Sequence, residues 1–276
     1  MSEQEAPHLL VDDTSEQGVI ICTLNRPDKL NAISREMMDL LTDAVLRLRD
    51  TPELKVMLIR STGRYFSSGA DLRGGNRNII SEVNVASNSA SKIRENHRLN
   101  LNNMQQLWDE MEHVEKPIVV AHQAMCVGGG LEMSLSCDFR LAAQSAGYAF
   151  PEGLFGVLPA SGGVSRLTRL CGPHWARWLI MANKPAPADM AFTMGLVHQV
   201  YEDETFDEDV LEFCRHLAKQ NGEQMGAAKV AIDLCAEVGR DSARHVERMA
   251  NSGLMLNPDY IKGMEAYLKG VGGKSK

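Results

Sequence analysis

Three unbroken apolar runs constrain the fold most: Val19-Ile-Ile-Cys-Thr-Leu24, Val56-Met-Leu-Ile59 and Ile118-Val-Val-Ala121. Runs of four to six such residues between polar turns read as buried strands. The sequence between them changes period. Ser34 is placed to cap a helix in which Met37, Met38, Leu41, Ala44, Val45 and Leu48 recur at helical spacing through Arg49, with Glu36 in the first turn. A long helix is predicted from about Asn100 to Glu115. Leu9-Leu-Val-Asp12, Asp138-Phe-Arg-Leu-Ala142 and Leu196-Val-His-Gln-Val200 read as further strands, with helices near 163–182 and 187–194. Strands alternating with helices imply an α/β core. From Phe206 onward the pattern is wholly helical, which divides the chain into a core, 1–205, and a helical region, 206–276, suited to covering the core or to association.

At 276 residues and 44% hydrophobic content the chain can bury a large interior. Its net charge of −7 argues against a nucleic-acid surface, which needs clustered positive charge. The six cysteines have no C-x-x-C spacing and sit mostly in apolar surroundings, as reduced thiols of a cytoplasmic protein do. The first residues are acidic and carry no signal pattern, and no apolar run approaches a membrane span of about 20 residues. The eight histidines lack H-x-H or H-x-x-x-H pairing, so no metal site is expected.

Gly128-Gly129-Gly130 leads directly into Leu131-Glu132-Met133, a loop opening into a helix whose first N–H groups lack intrahelical acceptors. Glycine lets a ligand oxygen come close, and the helix dipole favours an anion there. Taken alone, the glycines serve a tight turn equally well, and Glu132 then only complements the dipole. A second carboxylate, Glu152 in Phe150-Pro-Glu152, follows 20 residues after Glu132.

Four separated stretches point the same way: Asn25-Arg-Pro-Asp-Lys-Leu-Asn-Ala32; Tyr65-Phe-Ser-Ser-Gly-Ala-Asp-Leu72; the segment from Gly128 to Cys137-Asp138; and Phe150-Pro-Glu-Gly-Leu-Phe-Gly-Val-Leu-Pro-Ala-Ser-Gly-Gly163. Together with Met194-Gly-Leu-Val-His-Gln-Val200 they resemble the crotonase, or enoyl-CoA hydratase/isomerase, family over nearly the whole chain. The resemblance implies a spiral of ββα turns with a C-terminal helical region, assembled as homotrimers or homohexamers and acting on acyl-CoA thioesters. No separate cofactor is implied, because CoA is part of the substrate, and neither nucleic acid nor membrane is an expected partner. It also implies an oxyanion hole made by the backbone N–H groups of Ala70 and Gly129, each such donor being worth about 3 kcal/mol in comparable sites.

Family members that hydrate a double bond carry glutamates at the positions of Glu132 and Glu152. Retaining both puts a trans-2-enoyl-CoA hydratase first, in fatty-acid β-oxidation or in breakdown of another acid. A Δ3,Δ2-enoyl-CoA isomerase, an aromatic acyl-CoA hydratase-lyase and a non-catalytic RNA-binding homologue are the alternatives. By the same resemblance Lys29 and Leu30 approach the CoA nucleotide, and Ala70, Asp71, Leu72 and Arg73 line the pantetheine and thioester. Lys269, in the last helix, is a further candidate to reach a CoA phosphate from its own or a neighbouring subunit. Lys29 and Arg73 read equally well as solvated surface charges.

Ser67, Ser68 and Ser161 stand beside glycines but form no G-x-S-x-G elbow, so they read as turn residues. Asp71 and Asp138 read as loop holders, His122 as a core histidine, and Met133 and Phe155 as core residues. Residues 74–98, rich in Ser and Asn, read as a mobile surface segment bordering a substrate channel.

Overall fold

The three apolar runs form the centre of a six-stranded sheet in the computed structural model, which describes residues 6–72 and 102–272 together with Arg94, Glu95 and Arg98. Strand β1 (Leu9–Asp12) and β2 (Val19–Leu24) make an antiparallel entry pair. Helix α1 (Arg35–Asp50) follows, its first turn capped by Ser34, whose Oγ accepts from the Met37 N–H at 3.1 Å. Met37, Leu41, Ala44, Val45 and Leu48 line its buried face, the stripe that the spacing predicts.

From here the chain repeats one unit. β3 (Val56–Ser61) and β4 (Tyr65–Ser67) precede α2 (Asn102–His113); β5 (Ile118–His122) and β6 (Met125–Val127) precede α3 (Gly129–Leu135); β7 (Phe139–Ala143) and β8 (Gly147–Ala149) precede α4 (Gly163–Ala176). In each pair the first strand joins the six-stranded sheet, in order β1-β2-β3-β5-β7-β10, and the second joins a smaller one, β4-β6-β8-β9. The last members are β9 (Ala186–Pro187), then α5 (Ala188–Thr193), β10 (Gln199–Tyr201) and α6 (Phe206–Ala218). All pairings between β2 and β10 in the larger sheet are parallel, which a right-handed crossover through a helix permits. This is the expected α/β spiral of ββα turns.

Three elements differ from the sequence expectation. The helix expected at 163–182 breaks at Gly172 (φ 74°, ψ 165°), because Pro173 disfavours the α conformation in the residue before it; a second helical segment starts at Pro173 and ends in π-type geometry over Arg177–Met181. The strand expected at 196–200 starts only at Gln199, since Leu196 and Val197 are buried in the preceding turn. The chain divides into compact units at 1–219 and 220–276, so α6 belongs to the first unit and the sequence boundary at 205/206 lies one helix early. Phe206, Val210, Cys214 and Leu217 of α6 are buried, and Arg215 pairs with Glu16 at 2.6 Å. Its helical period is that of the helices after it, and period alone does not tell which surface a stripe faces.

The second unit consists of α7 (Gly222–Glu237), α8 (Arg240–Met255) and α9 (Pro258–Gly272). Asn221 caps α7 by accepting from the Gln224 N–H at 2.9 Å. Many of its apolar side chains are exposed, among them Ile232, Met249, Leu256, Ile261 and Leu268. No helix among the described residues is long and apolar enough to cross a membrane.

Candidate active site

The loop 25–32 and the turn 67–71 are laced together before any reactive group is placed. Asn31, fully buried, donates through Nδ2 to the carbonyls of Thr62 (2.6 Å) and Tyr65 (2.9 Å), while its Oδ1 accepts from the Arg26 N–H (2.8 Å). The Ser68 N–H donates to the Leu30 carbonyl at 2.9 Å. Ser67 Oγ donates to the Asn31 carbonyl at 2.8 Å and accepts from the Gly69 N–H, so it is a turn residue as expected. Arg26 Nη1 closes the lacing with bonds to the Ala32 carbonyl and Asp71 Oδ2, each at 2.8 Å.

This frame aims one amide. Ile33 donates to the Gly69 carbonyl (2.8 Å) and accepts from the Asp71 N–H (3.0 Å) as a parallel bridge, which turns the intervening Ala70 N–H to the opposite side. There it meets the start of α3: a β-carbon on Gly129 would lie 3.2 Å from the Ala70 nitrogen, and one on Gly69 would lie 3.1 Å from the Gly129 nitrogen. Both residues therefore need to lack bulk here, and Gly69 (φ +93°) also needs a backbone that other residues rarely adopt. The Gly129 N–H is the first of α3 and has no intrahelical acceptor, and the turn that carries the Ala70 N–H packs closely against it.

The carboxylates reach this point from two directions. Glu132, in the first turn of α3 and only 4% exposed, has Oε1 fixed by the N–H groups of Ser161 (2.7 Å) and Gly163 (3.1 Å). Burial raises its pKa, opposed by those two bonds and by the Arg166 charge. Glu152 lies on the 3-10 turn Pro151–Phe155, with Oε1 only 2.8 Å from where a β-carbon on Gly128 would stand. Its Oε2 is buried with no partner among the described residues. Burial, with the Glu132 charge adding and its own N–H opposing, lifts the Glu152 pKa to about 7.

The structure thus brings together Ala70, Gly129, Glu132 and Glu152. Lys29 is exposed on the first loop with Asp28 Oδ2 3.8 Å away, Leu30 is half-buried and left-handed (φ 52°), and Leu72 is exposed. Asp71 is engaged by Arg26, which fits the loop-holding reading better than direct contact with a ligand. Arg73 and nearly all of 74–98 lie outside the described residues. His122 is a core residue: Nε2 lies 2.9 Å from Ser134 Oγ and Nδ1 3.1 Å from the Tyr148 hydroxyl, and burial drives its pKa down to about 3. Asp138 accepts from the Ile118 N–H at 2.7 Å, as expected of a loop holder. Met133 is buried as expected, but Phe155 is 69% exposed. It sits in an apolar surface run with Leu154, Val157 and Leu158, where the tight turn around Gly156 (φ 70°) carries the chain away from the core.

Sequence reasoning missed the two amides that hold Glu132 and the arginine that holds Asp71. Both join residues distant along the chain, although the Ser161-Gly-Gly163 turn was itself a signal.

The model of the enoyl-CoA hydratase/isomerase family matches residues 14–271, and the chain belongs to that family. It is 29% identical to a crotonyl-CoA hydratase of Syntrophomonas wolfei, the match covering 92% of this chain and 93% of that one. A 1,2-epoxyphenylacetyl-CoA isomerase of Escherichia coli is 27% identical over the same shares. The crystal structure of an enoyl-CoA hydratase from Bacillus anthracis superposes with a TM-score of 0.83 at 25% identity, covering 95% of this chain and 96% of that one.

Proposed function

We propose that this chain adds water across the double bond of a trans-2-enoyl-CoA thioester. The observation that carries this reading is the convergence on one amide pair of two glutamates held in opposite ways, Glu132 by two N–H donors and Glu152 with an unpartnered buried oxygen. An isomerase needs one group to move a proton; adding water needs a base and an acid at once. The thioester oxygen accepts from the Ala70 and Gly129 amides, which stabilise the negative charge it gains. Glu132 takes a proton from a water molecule as the water oxygen bonds to Cβ. Glu152, protonated, delivers a proton to Cα of the enolate, and the two carboxyls return to their starting states by exchange with solvent. Because coupled carboxyls titrate as a pair, the acid and base roles belong to this arrangement rather than to either residue alone.

Lys29, Leu30, Leu72 and Arg73 are proposed to contact the CoA moiety, with Asp71 acting through the loop it anchors. The exposed apolar side chains of 220–276 support assembly as a homotrimer or homohexamer, and cysteines that form no disulfide among the described residues fit a cytoplasmic protein. The test is turnover of crotonyl-CoA, 3-enoyl-CoA and hydroxycinnamoyl-CoA thioesters by the wild type and by Glu132→Gln and Glu152→Gln. The expected result is hydration of the 2-enoyl thioester, with each variant at least about a hundredfold slower in kcat. Shift of the 3-enoyl bond, or cleavage of the hydroxycinnamoyl chain, without hydration would replace this reading with isomerase or lyase activity.

A further inference from the structure

We propose that Arg166 is a positioning residue for Glu132, clamping against α2 the turn whose amides hold that carboxylate. The turn is Ser161-Gly162-Gly163, and its outer N–H groups are the two donors to Glu132 Oε1. Its middle residue is pressed by Arg166: a β-carbon on Gly162 would lie 1.9 Å from Arg166 Nη1, and Gly162 has φ +100°. A side chain there would have to displace the guanidinium, at a φ that residues other than glycine rarely adopt. The remaining edges of the guanidinium are fixed on α2, where Nε and Nη2 donate to Glu112 Oε1 (2.8 Å) and Oε2 (2.6 Å) and Nη2 also donates to Asp109 Oδ1 (2.5 Å). The same helix holds the start of the turn through Gln105 Nε2, which donates to the Ala160 carbonyl at 2.7 Å.

The arrangement is more than a surface ion pair. The Arg166 side chain is only 8% exposed, so its fork is desolvated and held in one plane by a bidentate carboxylate. The charged or titratable groups facing Glu132 are Arg166 from α4 and Glu152 from the 3-10 turn, with Asp109 and Glu112 of α2 behind Arg166. Arg166 favours the ionised form of Glu132 while its own charge is balanced by the two acids. One cation thus sets both the place of the carboxylate, through the turn, and its readiness to accept a proton.

The inference rests on the reading of Glu132 as the base, so Glu132→Gln is measured beside the other variants. With crotonyl-CoA as probe, Arg166→Met is expected to lower kcat at least about tenfold while KM changes less than about threefold, short of the ~100-fold cost of an ångström of misplacement. The acidic limb of its kcat–pH profile moves to higher pH, because Glu132 loses a favourable cation. Arg166→Lys keeps the charge without the fork and restores the limb more than the rate. Glu112→Gln moves the limb the other way, to lower pH, by leaving Arg166 less neutralised, and it decides the matter if Arg166→Met does not fold. Folded Arg166→Met with only a lowered melting temperature, its rate and limb unchanged, overturns the inference, as does an unmoved limb in Glu112→Gln. An active Glu132→Gln instead sinks the reading of Glu132 and the clamp with it; an inactive Glu132→Gln beside an unaffected Arg166→Met sinks the clamp alone.

Discussion

Glu152→Gln is expected to cost activity and to stabilise the fold, by an amount that grows with pH. A glutamate ordinarily titrates at 4.5, whereas burial and the nearby Glu132 charge put Glu152 at about 7. Between those values the folded chain keeps a proton that the unfolded chain releases. The folded state therefore binds more protons, and stability falls as pH rises from 4.5 to about 7, then stays level. In a dry site that interval is worth about 3.4 kcal/mol. Glu152 is half-buried, and solvent screening leaves on the order of 1–2 kcal/mol. Glutamine keeps the shape and does not titrate, so the variant escapes this loss. Thermal melts of both proteins from pH 5 to pH 8 should show the variant gaining on the wild type by about 2–6 °C across that range. Buried His122, with its pKa near 3, drains stability as pH falls below 6.5, but it does so in both proteins and cancels in the difference. A difference that stays constant with pH, or shrinks as pH rises, refutes the assignment of a buried, protonated Glu152.

The same titration should govern catalysis if Glu152 is the proton donor: kcat/KM for crotonyl-CoA declines above pH 7, approaching about tenfold per further pH step, and this alkaline limb is lost in the residual activity of Glu152→Gln. Gly69→Ala places a β-carbon 3.0 Å from the Val127 carbonyl and 3.1 Å from the Gly129 nitrogen at φ +93°, so it should cost about 1–3 kcal/mol in denaturant melts and lower kcat about tenfold or more by moving the amide pair. An alanine variant with unchanged kcat would show that the spacing of the two amides is not critical.

The parts legible in the sequence are those whose environment is uniform along a segment. β2, β3 and β5 are buried almost throughout, so continuous apolar runs announce them, and α1 shows its one buried stripe in its spacing. The smaller sheet was not legible: β4, β6 and β8 have three residues each and β9 two, too few for any period to show. The break at Gly172-Pro173 was written in the sequence, but apolar spacing on both sides of it suggested one helix. Phe155 failed for the opposite reason, because an apolar residue beside apolar neighbours reads as core even where a turn carries all of them to the surface.

The two glutamates show why a motif yields residues but not their states. Glu132 and Glu152 are the same amino acid near the same three glycines, and in the flanking sequence only the apolar neighbours Phe150 and Pro151 hint that Glu152 is the one to keep a proton. The difference arises from contacts made across the fold: Glu132 receives two N–H donors from a turn about 30 residues away, itself gripped by Arg166 from a helix salt-bridged to α2. Hydrogen bonds to a carboxylate favour its ionised form. Glu152 leaves the strand β8 for a 3-10 turn where one oxygen meets nothing, and an unpartnered buried oxygen favours the proton. Moving a single donor from Glu132 to Glu152 would narrow the separation on which paired acid and base chemistry depends. On the proposed reading, the turn 161–163, and not the glutamates alone, determines whether this site can add water.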